Sequence, residues 1–137
     1  MKILLSIFAL LAAALAVAQP AEKPIDLTGA DANQLKSQVG HTVTLCGRLE
    51  DGKQGLLLGA KNVGVYVLSE RPPGGDYSYP KTWTRFMHQQ VRITGELRFR
   101  SFDHSNARDK EGRAVQVPPD YFYMVLQLTK IERVEPK

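Results

Sequence analysis

Two segments of this sequence alternate apolar and polar residues and carry a glycine at the same position. The first reads Val43-x-Leu-x-Gly-x-Leu49 and the second reads Val91-x-Ile-x-Gly-x-Leu97. Alternation with period two predicts β-strands with one apolar face. A long strand that bends around a small barrel needs a glycine or a bulge where it coils. The chain is therefore predicted to form a small, strongly curved β structure.

Three further strands are predicted around this pair. Short strands over 56–58 and 63–68 flank a tight turn, which predicts a hairpin. The last strand is predicted over 121–129. Its alternation breaks near 129–130, which indicates a bulge or the end of pairing there. The side chains of this strand expected to face the core are Phe122, Met124, Leu126 and Leu128.

Two short helices are predicted between the strands. The first covers 31–39, with Asp31 as its N-cap and Gly40 as its end. The second covers 81–89, where apolar side chains recur at helical spacing. These apolar side chains are Trp83, Phe86 and Met87. They are expected to close one end of the core rather than to bind a partner.

The N-terminus carries the pattern of a secretory signal peptide over 1–18. Sixteen of these 18 residues are apolar, Lys2 is the one charge among them, and Ala16-Val17-Ala18 forms a small-x-small cleavage site. The apolar run is shorter than the roughly 20 residues of a spanning helix, which disfavours the alternative of an uncleaved membrane anchor. We expect cleavage after Ala18, a secreted or periplasmic product without a transmembrane anchor, and a flexible leader over 19–30.

Charge and cysteine content exclude several classes of protein. Without Lys2 the formal net charge falls from +4 to +3, a mildly basic balance that permits an anionic partner without requiring one. Cys46 is the single cysteine, so an exported form has no internal disulfide and no cysteine cluster for a metal. Cys46 itself is expected to be a small buried residue rather than a reactive thiol.

The order of these elements and the repeated strand pattern resemble small exported bacterial OB-fold domains. The two repeated strands are similar to the first and fourth strands of that barrel, and the segment 39–43 adds to the resemblance. The resemblance implies one domain over 31–137, mainly β with short helices. It implies a five-stranded OB-fold-like barrel of order β-β-β-α-β-β, preceded by a short N-terminal helix. The proline-rich segment 70–80 and the polar segment 101–119 are predicted loops that depart from the minimal barrel.

The resemblance also implies where a ligand would bind. OB-folds bind ligands on the face of strands two and three and on the loops after strands one and four, which here gives a basic and aromatic surface. The expected ligand is an envelope protein, an envelope polymer or a small anion, and no cofactor is expected. Single-stranded nucleic acid is an alternative that the small net charge and the predicted export disfavour. The candidate residues are Lys53, Lys61, Tyr66, Arg98, Arg100, Phe102, Tyr121 and Tyr123.

Recognisable catalytic motifs are absent from the sequence, so the expected function is binding and not catalysis. The sequence has no G-x-S-x-G elbow, no P-loop and no dinucleotide fingerprint. A second alternative is a metal-binding or metal-dependent protein that uses the 101–119 loop, where Asp103, His104 and Asp109 supply suitable ligand atoms. Their spacing matches no known metal motif, so no metal ligand is assigned.

Overall fold

The computed structural model describes residues 22–53, 55–69, 81–105 and 107–135. Within these ranges it contains one eight-stranded sheet, two short α-helices and one 3-10 helix. The predicted signal peptide and the predicted loop over 70–80 lie outside the described residues. Among the helices of the described ranges, none has the length and apolar character needed to cross a membrane.

The elements follow one another along the chain in an order dominated by strands. The two α-helices are α1 (Ala32–Ser37) and α2 (Lys81–Thr84), and a 3-10 helix covers Leu126–Leu128. The strands are β1 (Ile25–Asp26), β2 (Thr42–Gly52), β3 (Gly55–Ala60), β4 (Val63–Leu68), β5 (Gln90–Glu96), β6 (Arg98–Arg100), β7 (Tyr121–Val125) and β8 (Lys130–Arg133).

The sheet has the strand order β6-β7-β4-β3-β2-β5-β8. Neighbours along this path are antiparallel, except that β4 and β7 run parallel. The short strand β1 lies off the path and pairs in parallel with β2, where Ile25 is opposite Val43. This pairing falls within 19–30, the segment for which the sequence predicts a flexible leader.

Alternation along the strands places apolar side chains on the inner face of the sheet, as the sequence predicts. On β2, Val43, Leu45 and Leu49 are buried. Full burial of one such side chain contributes about 1.5–3 kcal/mol, so this face supplies most of the stability of the fold. The other buried side chains of the strands are Leu56, Leu58, Val65, Val67, Val91, Ile93, Phe122, Met124 and Val125.

The two glycines of the repeated pattern lie where long strands change partner. At Arg48, β2 passes from pairing with β5 to pairing with β3, and a Cβ at Gly47 would lie 2.5 Å from the carbonyl oxygen of Gly59. Gly95 lies between the β5–β8 and β6–β7 pairings, and a Cβ there would lie 2.6 Å from Thr129 Oγ1. At both glycines another part of the chain, the Gly59 backbone or the Thr129 side chain, occupies the space that a side chain would need.

The prediction of one continuous strand over 121–129 is wrong. Strand β7 ends at Val125, and the 3-10 helix Leu126–Leu128 separates it from β8. The hydroxyl of Thr129 donates a hydrogen bond to the Val125 carbonyl oxygen (2.8 Å) and closes this turn. Because a helical turn resets the alternation, Leu128 is 62% exposed instead of facing the core.

The short helices begin as predicted and are shorter than predicted. Asp31 and Gln34 form a capping box at the start of α1, whose buried residue is Leu35. Helix α2 spans four residues, and the chain then continues in i→i+3 hydrogen bonds such as Gln89 N–H to Phe86 O (3.2 Å). Trp83 and Phe86 are buried in the core, which confirms their predicted packing role.

Candidate functional site

The outer face of strands β4, β6 and β7 gathers six of the eight candidate residues. Tyr123 on β7 lies opposite Tyr66 on β4 and opposite Arg98 on β6, and Arg100 lies opposite Tyr121. Residues that are opposite one another on paired strands share a face. We call the following set the aromatic-basic surface: Tyr66, Arg98, Arg100, Phe102, Tyr121 and Tyr123.

Alternation explains why these side chains point outward. Phe122 and Val65 are buried, and they lie opposite each other in the β4–β7 register. Their sequence neighbours Tyr121, Tyr123 and Tyr66 must therefore lie on the other face, since successive side chains of a strand point to opposite sides. The same pattern of core residues that forms the fold thus builds the aromatic-basic surface.

Tyr121 is the centre of a cluster of rings. Its ring centroid lies 5.4 Å from that of Tyr66 at an interplanar angle of 72°, and 5.9 Å from that of Tyr123 at 66°. The ring of Phe102 lies 6.0 Å away. Edge-to-face pairs at such separations contribute about 0.5–1.5 kcal/mol beyond the burial of their area. The rings therefore support one another in a fixed arrangement.

The two arginines of the surface differ in their partners. Arg98 Nε lies 3.0 Å from Glu96 Oε1, so part of its charge is compensated. The guanidinium of Arg100 lies 5.4 Å from the centroid of the Phe102 ring. Across the described parts of the chain, no carboxylate comes within ion-pair distance of Arg100. Arg100 is thus an exposed cation held beside aromatic rings.

A groove of about 180 Å³ opens between β4, β6 and β7. It combines two guanidinium groups and two phenol rings with the hydroxyl of Ser69, which accepts a hydrogen bond from Gln127 Nε2 (2.9 Å). Pockets that enclose whole drug-sized ligands measure about 300–1,000 Å³. This groove therefore fits one group of a larger ligand. Its lining residues are Leu68, Ser69, Arg98, Arg100, Tyr121, Tyr123 and Val125.

Asp120 holds the loop after β6 against the start of β7. Its Oδ1 accepts a hydrogen bond from the Phe102 backbone N–H (2.9 Å) and lies 3.1 Å from His104 Nε2. The hydrogen bond from Phe102 and then that from His104 lower the pKa of Asp120 below its ordinary value. The anionic carboxylate thus fixes Phe102 beside Tyr121. Sequence reasoning missed Asp120, although its position just before a strand was visible.

Lys53 and Lys61 are not part of this cluster. Both are exposed and lie on the turns at the two ends of β3, which puts them roughly 20 Å apart. The outward positions of β3 that face β4 are Leu57, opposite Tyr66, and Gly59, opposite Gly64. Because β3 offers an apolar side chain and a glycine there, the polar cluster lies on β4, β6 and β7. Sequence reasoning also missed Ser69, which joins the groove only through the β4–β7 pairing.

The candidate metal ligands of the 101–119 loop have separate partners. Asp103 accepts hydrogen bonds from the Ser105 hydroxyl and backbone, and these lower the pKa of its carboxyl. Asp109 accepts from the Arg113 backbone N–H (2.8 Å) and guanidinium (2.7 Å), and the backbone hydrogen bond is the main reason why its pKa is lowered. In the ranges that the structure describes, no three His, Cys, Asp or Glu side chains surround a metal position.

Cys46 and His88 lie on the outer face near the other end of the sheet. Cys46 is half-buried and opposite Arg92, so it is more exposed than the predicted small buried residue. His88 adopts a left-handed backbone (φ 61°) and its Nδ1 lies 2.8 Å from Glu50 Oε2. His is among the residues that tolerate this conformation. Neither residue contacts the aromatic-basic surface.

The aromatic-basic surface combines an exposed and a half-buried cation with hydroxyls and rings around a shallow groove. No family model, no curated protein and no solved structure matches this chain. The residues of the chain itself therefore carry the functional argument.

Proposed function

We propose that this chain is an exported, non-catalytic binding module, and that the aromatic-basic surface is its binding site. One observation carries the proposal. Arg100 has no carboxylate partner among the described residues and stands beside a groove lined by Arg98, Tyr121 and Tyr123. A guanidinium forms its strongest hydrogen bonds with anionic oxygens. The ligand is an anionic group of an envelope protein, an envelope polymer or a small molecule.

Export is supported by the first 18 residues, whose basic start, apolar run and small-residue cleavage motif are typical of a signal peptide. The mature module would then be secreted or periplasmic. A surface that acts by contact with a partner suits such a compartment, since the proposal requires no cofactor or energy source.

The proposed module is an OB-like barrel, and the strand pairings support this. Strand β5 continues into β6 across Leu97, and β7 continues into β8 through the 3-10 helix Leu126–Leu128. If 90–100 and 121–133 are each counted as one long strand, these two strands pair with each other along both of their parts, β5 with β8 and β6 with β7. The first would then pair with β2 and the second with β4, and this counting would join all five segments in a ring.

A binding role without catalysis is supported by the carboxyl group nearest the rings. Asp120 has a lowered pKa because it accepts hydrogen bonds from Phe102 and His104. A general acid or base works best with a pKa near the operating pH, and a carboxylate with a lowered pKa is far from that range. Asp120 therefore serves to position Phe102.

The proposal is tested by NMR titration of the chain, purified as the exporting cell produces it. Four probes are added separately: a peptide rich in Glu, polygalacturonate, inorganic phosphate and a single-stranded oligo-dT. We expect at least one probe to cause saturable shifts at the backbone amides of Tyr66, 98–102 and 121–123. Shifts confined to other residues, or none with any probe at millimolar concentration, would contradict the proposed site.

A double variant separates binding from folding. Arg98→Gln with Arg100→Gln should abolish these shifts and lower the free energy of unfolding by about 1 kcal/mol or less, since Arg100 is exposed and the Arg98–Glu96 ion pair lies at the surface. A large loss of stability in this variant would instead assign the two arginines a structural role.

A further inference from the structure

We infer that the occupant of the aromatic-basic surface is an acidic segment of another protein, one that inserts a Glu or Asp side chain into the groove beside Arg100. This inference rests on the proposed function and names the class of partner. Composition, charge, groove size and ring packing each support it, and each comes from a separate observation.

The composition of the surface is that of a protein-binding hot spot. Tyr and Arg are enriched where protein interfaces hold most of their binding energy, and such residues cluster at the centre of the contact. Here Tyr121 is surrounded by the rings of Tyr66, Tyr123 and Phe102. Rings that are fixed by one another lose little conformational freedom when a partner binds.

The charge of the surface is complementary to a carboxylate. Arg98 is already paired with Glu96 at 3.0 Å, whereas Arg100 has no such partner among the described residues. A partner carboxylate would give Arg100 the bidentate contact that its planar guanidinium favours.

The size of the groove suits a single acidic side chain. Its volume of about 180 Å³ is lined by apolar residues, Leu68 and Val125, and by two cations, Arg98 and Arg100. The alkyl part of a Glu side chain would meet the apolar residues and its carboxylate the cations. A partner outside the groove would then cover the rings.

The packing of the rings disfavours single-stranded nucleic acid. Such ligands bind by stacking bases on exposed, flat ring faces. The ring of Tyr121 instead meets its neighbours at steep angles of 72° and 66°, and the Arg100 guanidinium lies over the Phe102 ring. The rings thus do not form one flat platform on which successive bases would stack.

The first test compares ligands. The affinity of the chain is measured by fluorescence anisotropy for a Glu-rich peptide, the same peptide with Gln at every Glu, polygalacturonate and oligo-dT. We expect the Glu peptide to bind at least about tenfold more tightly than the other three, as for a contact at a hot spot. Tighter binding of polygalacturonate at the same residues would overturn the acidic-protein inference and leave the proposed function standing. Tighter binding of oligo-dT there would overturn both and favour a nucleic-acid-binding surface. Failure of every probe at these residues would overturn both.

The second test compares variants. Arg100→Gln should weaken binding of the Glu peptide by about tenfold or more, and Arg100→Lys should keep part of the affinity because a point charge remains without the bidentate geometry. The Gln-containing peptide should respond little to either change. Equal affinity of the Glu peptide for the wild-type chain and for Arg100→Gln would overturn the inference.

Discussion

Asp120 shows how one carboxylate arranges a surface that it does not itself form. It accepts the backbone N–H of Phe102 at 2.9 Å and lies 3.1 Å from His104 Nε2. Phe102 in turn lies 6.0 Å from Tyr121, ring to ring. This hydrogen bond ties the loop after β6 to the start of β7 and holds Phe102 beside Tyr121.

Asp120→Ala should release Phe102 from Tyr121. Loss of the acceptor leaves the Phe102 N–H to water, so the nuclear Overhauser effects (NOEs) between the two rings should disappear. Asp103→Ala is the matched control, since the hydrogen bonds of Asp103 to other described residues go to nearby Ser105, and it should leave these NOEs intact. Intact ring contacts in Asp120→Ala would show that packing alone positions Phe102.

The same contact should depend on pH in one direction. The pKa of Asp120 in the folded protein is lowered, chiefly by the Phe102 hydrogen bond, whereas an unfolded Asp titrates near about 3.9. Its stabilising effect is therefore complete above that value and is lost as the pH falls through the lower, folded pKa. Ring contacts followed by NMR should persist from neutral pH to about 4 and weaken in more acid solution. Contacts unchanged after Asp120 is protonated would contradict this account.

At the scale of single elements, the bends of the long strands depend on two glycines. Gly47 lies where β2 exchanges β5 for β3 as its partner, and Gly95 lies where β5 gives way to β6. In each case another part of the chain occupies the space where a Cβ would be. The shared pattern of the two segments thus has a shared physical cause.

Alanine at either glycine should destabilise the fold. Gly47→Ala and Gly95→Ala force a shift of the Gly59 carbonyl or of Thr129, and overpacking of this kind costs about 1–3 kcal/mol. Gly59→Ala is the matched control, because its Cβ would lie 3.6 Å from the Arg48 carbonyl oxygen, which is ordinary contact. Urea unfolding measures all three. A control as destabilised as the other two variants would remove the special role of Gly47 and Gly95.

The alternation of apolar and polar residues predicted the strands better than it predicted which residues of different strands and loops come together. The inward face of β2 and the glycine positions followed from period and residue type. The 3-10 helix at Leu126–Leu128 did not, because its apolar residues fit a strand equally well. Ser69 and Asp120 were missed because they join the site through the pairing of β4 with β7 and the Asp120–Phe102 hydrogen bond, and sequence patterns do not encode such distant partners. Lys53 and Lys61 were predicted as site residues because each lies on a turn that flanks β3.

At the scale of the whole molecule, a closed ring of strands predicts that the backbone amides of all its strands are similarly protected from hydrogen exchange. The end strands of an open sheet open more easily than its centre, and their amides exchange faster. If the five segments form a ring, the hydrogen-bonded amides of β7 should exchange as slowly as those of β2. Hydrogen exchange followed by NMR measures this. Much faster exchange in β6, β7 and β8 than in β2 and β3 would indicate an open sheet.

The attraction of anions by the net charge of the whole molecule also has to be distinguished from their binding at the aromatic-basic surface. A chain with a formal net charge of +4 attracts anions over its entire surface, and this general attraction weakens with salt. Arg92 and Lys130 are exposed on β5 and β8, and Arg92 lies six residues before Arg98, or roughly 20 Å along the strand. These two cations provide a control with the same change in net charge.

The most direct measurement is the affinity of three proteins for the tightest-binding probe: the wild-type chain, Arg98→Gln with Arg100→Gln, and Arg92→Gln with Lys130→Gln. Both double variants lose two positive charges. We predict a loss of about tenfold or more for the first, as for hot-spot arginines, and a change of about twofold or less for the second, as for distant surface charges. Equal losses in the two variants, or none in the first, would contradict the assignment of the aromatic-basic surface as the binding site.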